Sequence, residues 1–124
     1  MLLAIFTLWQ LAGCNADPIE LERYESFPAS KVDVRIVISS EDEWKSILAP
    51  FADAHGYRLR IGRVHPTHPE FSVSLWRPDS VILGANPFEL QEYKFGIYAA
   101  RQDAPRMETM ISILDELKSD LVGK

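Results

Sequence analysis

At 124 residues, with 47% apolar and 25% charged side chains, the chain has the size and composition of one globular domain and falls outside the disordered class. Thirteen basic residues against eighteen acidic ones give a formal charge of −5, and no Lys/Arg cluster interrupts that balance, which argues against a nucleic-acid partner. The single cysteine excludes an intrachain disulfide, so the domain stands on packing alone.

The first thirteen residues, MLLAIFTLWQLAG, contain no charged side chain, and only Thr7 and Gln10 interrupt the apolar run before small Ala12 and Gly13 lead into Cys14. A membrane-spanning helix needs roughly 20 apolar residues. Here Asn15, Asp17 and Glu20 arrive too soon, so the segment reads as a secretory leader that is removed. No Lys or Arg follows Met1, where a basic start is usual; either the start lies upstream or the amino terminus alone supplies the charge. The competing reading is a cytosolic domain in which the apolar segment is a core element and Cys14 a buried thiol.

Leu11-Ala12-Gly13-Cys14 resembles the lipobox of bacterial lipoproteins. The resemblance covers these four residues and the run before them. It implies a diacylglyceryl group on the Cys14 sulfur, cleavage after Gly13 and acylation of the new amino terminus. A thiolate is the side-chain nucleophile suited to that transfer. It also implies a lasting anchor, because each buried methylene contributes about 0.8 kcal/mol and two or more chains hold where one binds reversibly. Asn15 stands where Asp would favour inner-membrane retention in enterobacterial lipoproteins, so the implied address is the periplasmic face of the outer membrane. The covalent lipid is the one non-protein group expected, with no other cofactor.

Residues 14–31 then read as the lipidated terminus and a tether, spanning roughly 20 to 25 Å if flexible. Within it, Asp17-Pro18 with Glu20 and Glu22 is also a short helix start, and Tyr24 and Phe27 are docking points for the domain. Residues 32–124 form a single domain. VDVRIVIS (32–39) is a strand with Val32, Val34, Ile36 and Ile38 in one phase. Ser40 and Glu43 frame a capping box, and Trp44, Ile47, Leu48 and Phe51 fall on one helical stripe that Pro50 bends and Gly56 closes. YRLRIGRV (57–64) and FSVSLWR (71–77) alternate as half-buried antiparallel strands. After the Pro78-Asp79 turn, the unbroken apolar run SVILGA (80–85) suits a central strand. Asn86-Pro87-Phe88-Glu89 suits one helical turn, and KFGIYAA (94–100) is the last strand. Asp103 then caps a helix whose stripe is Met107, Met110, Ile111, Leu114, Leu117 and Leu121, with Gly123 at its end.

The order β-α-β-β-β-β-α packs as an α+β two-layer sandwich, one antiparallel sheet of four to five strands with two helices on one face. In outline it resembles the helix-grip and ferredoxin-like arrangements of several envelope lipoproteins, an analogy that does not fix function.

Three features carry candidate chemistry. Arg58 and Arg60 project opposite Leu59 and Ile61, a bulge at Gly62 would return Arg63 to their side, and Trp76 with Ser72 and Ser74 falls on the same face in the matching register. Such a face takes a carboxylate- or phosphate-bearing partner through bidentate guanidinium contacts and stacking, or it merely solvates the outer side of the sheet. His65 and His68, with Glu70, are weak metal candidates, because two prolines make their loop extended and a zinc site needs three or four converging ligands. His55 belongs with the terminal carbonyls of its helix. No nucleophile elbow, HExxH or phosphate loop is present, so an enzyme is not expected. Three functions are weighed: first a membrane-anchored binding or accessory module for an envelope protein or cell-wall component, second an immunity-type inhibitor of a toxin or hydrolase, and last a metal-assisted enzyme working through His65 and His68.

Overall fold

The computed structural model describes residues 18–38, 40–63, 71–85 and 92–123. In chain order these form α1 (Pro18–Leu21), β1 (Ser30–Arg35), α2 (Glu41–His55), β2 (Arg58–Arg63), β3 (Phe71–Arg77), β4 (Ser80–Ala85), β5 (Glu92–Ala99) and α3 (Met107–Val122). The five strands make one antiparallel sheet in the order β1-β5-β4-β3-β2, so β2 to β5 form a meander and α2 carries the chain from one edge to the other. Helices α2 and α3 cover one face, as the element order requires.

The period-two pattern decides which residues face the helices. Phe71, Val73, Leu75, Ile82, Tyr93, Phe95 and Ile97 enter the main core with Trp44, Leu48 and Phe51 of α2 and Leu114 and Leu117 of α3. Trp44 lies edge-on to Tyr93 at 4.9 Å, and the Tyr93 hydroxyl accepts the Phe71 amide at 3.1 Å. β4 occupies the middle of the sheet, as its apolar run requires, and Gly84 keeps its place because the Phe95 ring lies across it: an added Cβ would collide with that ring.

Local signals set the helix ends. The Ser40 side chain accepts the Glu43 amide at 3.2 Å, and Gly56 closes α2 at φ 72°. Asp103 does not cap α3. It adopts φ 58°, a left-handed conformation that a cap in the extended region excludes, and the helix begins only after Arg106. The stripe of α3 is also rotated from the expected one: Ile113 is buried, whereas Met107 and Ile111 are exposed. β1 is shorter than expected, ending where Arg35 meets Glu92, the first residue of β5, although Ile36 and Ile38 remain buried.

Candidate binding face on the outer side of the sheet

The side of the sheet turned away from α2 and α3 is built by the alternate phase. Across the strands the register aligns Arg60, Ser74, Leu83, Gly96 and Lys31 in one row and Arg58, Trp76, Val81 and Tyr98 in the next. Arg58, Arg60 and Trp76 therefore share a face with Ser72 and Ser74. Arg63 does not join them. The β2–β3 register runs unbroken through Gly62↔Ser72 and Arg63↔Phe71, so no bulge forms and Arg63 stays in phase with Leu59 and Ile61.

Part of this face is already covered. Residues 18–29, which read as tether, are docked as a strap: α1 and Tyr24 fold onto this face, and residues 24–29 continue the lane of β1 along β5. Tyr24 bridges Ala100, the Glu25 amide donates to the Ala99 carbonyl at 2.8 Å, and the Ala29 amide donates to the Ile97 carbonyl at 2.8 Å. Leu21 is fully buried in a second cluster with Tyr24, Trp76, Val81, Leu83, Tyr98 and Ala100. The Tyr24 ring meets Trp76 edge-on at 5.8 Å, and its hydroxyl donates to the Arg77 carbonyl at 2.7 Å. Burial raises the Tyr24 phenol above its usual range. Phe27, the other expected docking point, is 80% exposed.

The strap delivers Glu20 to the arginines. Its carboxylate receives Arg60 in a two-point fork, Nη1 at 3.1 Å and Nη2 at 3.2 Å, and Arg58 Nη2 at 3.3 Å. The Arg60 guanidinium also lies over the Trp76 ring, 5.4 Å from its centroid. Planar forks of this kind recognise a carboxylate by shape as well as charge, and the ring behind orients the fork. With Arg58 60% exposed, these ion pairs contribute little to stability, on the order of 1 kcal/mol or less each. Apolar burial of Leu21 and Tyr24 holds the strap; the clasp sets its orientation.

Beside the strap the face is hollowed. Leu83, Gly96 and Tyr98 floor a cavity of about 470 Å³ rimmed by Lys31, Asp33 and Lys94. Lys94 pairs with Asp33 at 3.4 Å. Among the described residues, the Ser74 hydroxyl and Trp76 Nε1 on this face, and Trp44 Nε1 in the main core, are buried without a hydrogen-bond partner.

On the helix side, His55 pairs with Glu116 of α3 rather than with the end of its own helix. The carbonyl at that end is taken by Arg77 Nη1 at 2.7 Å, while Arg77 Nε bonds Asp79 at 2.6 Å and the guanidinium covers Tyr57 at 4.5 Å. Tyr24 thus docks as its place in the sequence suggests, whereas Glu20 and Arg77 hold contacts that the sequence alone did not assign. For Tyr24, an isolated aromatic in an acidic stretch was the available signal.

Cys14, His65, His68, Glu70 and the Asn86–Glu89 turn lie outside the described residues. Among the described residues, no three His, Cys, Asp or Glu side chains converge to hold a metal, and no helix is long and apolar enough to cross a membrane. No known protein family, curated protein or solved structure matches the chain.

Proposed function

We propose that this chain is a small lipid-anchored lipoprotein of the cell envelope, held at the periplasmic face of the outer membrane, whose folded domain is a binding or accessory module. The observation that carries the reading is Leu11-Ala12-Gly13-Cys14 at the end of an uncharged apolar run. The outer sheet face supports the module half of it. Arg58 and Arg60 already seat one carboxylate in a fork backed by Trp76, and a single carboxylate shared by two guanidiniums leaves these three groups one net positive charge. Anionic chemistry is what such a face receives.

Fractionation tests the anchor. The native chain sediments with membranes and is released by detergent, and Cys14→Ala is left in the soluble fraction; native protein with a bare Cys14 thiol and residues 1–13 still attached would refute the anchor. A second reading, an immunity-type inhibitor of a secreted toxin or hydrolase, is favoured by the helix layer, where α2 and α3 carry eight carboxylates against two lysines. Capture of a basic enzyme in a tight complex that weakens with salt would select it.

A further inference from the structure

We infer that the outer sheet face lies on the headgroup surface of the membrane that holds Cys14, with α2 and α3 turned toward the aqueous side; the inference rests on the lipid anchor proposed above and names the anionic partner of the same face. Two independent observations carry it.

The first is chain length. A tether running from residue 14 to 31 would let the domain tumble. The strap removes that freedom, because the chain is packed onto the sheet from α1 onward: Glu20 is clasped by Arg58 and Arg60, Leu21 is fully buried, and Tyr24 bridges Ala100. Only residues 15–17 separate Cys14 from α1, so four Cα steps span at most about 14 Å. The element that meets the anchor sits on the outer face. The helix axes lie roughly 10 Å behind the sheet, and a helix radius of about 5 Å places their exposed side chains about 15 Å from it, on the side away from α1. With the strap docked, the anchor cannot bring those side chains to the bilayer without lifting α1 away from it.

The second is charge. The outward-phase residues of the five strands carry five cations against two carboxylates, a formal +3: Lys31, Arg35, Arg58, Arg60 and Lys94 against Asp33 and Glu92. The strap adds three carboxylates and Arg23, which leaves +1. The helix layer carries −6. A surface of anionic phospholipid attracts basic side chains only within a Debye length, about 8 to 10 Å. Laid outer face down, the domain puts its positive side inside that distance and its acidic helices outside it. The reverse orientation would press −6 against like charge. Anchor geometry and electrostatics therefore select the same side.

The test uses the full chain, expressed with its leader and reconstituted into vesicles of phosphatidylethanolamine and phosphatidylglycerol that carry a nitroxide quencher on their headgroups. Acylated Cys14 cannot react, so single cysteines placed by Glu22→Cys, Lys31→Cys or Lys118→Cys take a fluorophore specifically. With the outer surface of the helices about 15 Å behind the sheet, the labels at 22 and 31 are quenched about three-fold more than the label at 118. A flexible insertion between Ala16 and Asp17, measured in molar salt, brings the ratio toward one. Equal quenching at the three positions of the uninserted chain, or stronger quenching at 118, overturns the orientation while the protein still floats with the vesicles. Failure to float with the vesicles at all overturns the anchor, and the orientation with it.

Discussion

Replacing Leu21 by Ala separates a strap from a tether. Leu21 is fully buried between Tyr24, Trp76 and their neighbours. Removing its side chain forfeits about 1.5 to 3 kcal/mol of transfer free energy, and a cavity term brings core Leu→Ala changes to roughly 2 to 5 kcal/mol. The strap lies at the periphery and can close part of the gap, so the low end applies, about 2 to 3 kcal/mol. The segment can also undock while the sheet stays folded, and the loss cannot exceed what docking contributes. Urea unfolding of the chain from Asn15 onward, wild type against Leu21→Ala, measures the difference. At this size it corresponds to a melting shift of roughly 10 to 15 °C. Hydrogen exchange gives a second readout: the Glu25 and Ala29 amides, bonded to β5, lose protection in the variant more than amides of β4 do. A change below about 0.5 kcal/mol, the range of surface substitutions, with both amides unaffected, would mean that residues 18–29 are the flexible tether their composition describes.

Other substitutions probe the domain itself. Gly84→Ala drives a methyl into the buried Phe95 ring and costs about 1 to 3 kcal/mol, a loss that Phe95→Leu in the same chain partly recovers; an unchanged denaturation midpoint would contradict the close approach. Gly56→Ala meets open space, so its cost is backbone strain alone, about 1 to 2 kcal/mol at φ 72°, and no second substitution nearby relieves it. Burial holds the phenols of Tyr57, Tyr98 and Tyr24 above their ordinary value of about 10. The unfolded chain gives up those protons near pH 10 while the folded one keeps them, so this stability is complete below that pH and declines as pH rises toward the folded values. Tyr57→Phe removes one of the three and flattens the decline between pH 9 and 11 in thermal melts, after losing about 1 kcal/mol at neutral pH with the Ser80 hydrogen bond; an unaltered alkaline slope would reject the assignment.

Much of this protein was determined within short windows of sequence. The Ser40 cap, the alternation of Phe71 to Trp76 and the stripe through Trp44, Leu48 and Phe51 each depend on residues a few positions apart, and such patterns survive without knowledge of what they pack against. Strand β3, the central place of β4 and the two-layer order were legible for that reason, and so was the sharing of one face by Arg58, Arg60 and Trp76. The tertiary structure decided what no local window contains. Glu20 meets arginines 38 and 40 residues away, and Tyr24 reaches a carbonyl 53 residues on, so an acidic stretch that reads as a tether with docking aromatics covers part of the second sheet face. Arg63 lost its expected place because register follows the pairing of β2 with β3 rather than the presence of a glycine, and α3 begins only after Arg106, past a left-handed Asp103. Spacing along a helix or strand fixes which side chains share a face; which faces meet depends on how the sheet closes, and that is set by contacts between residues far apart in the chain.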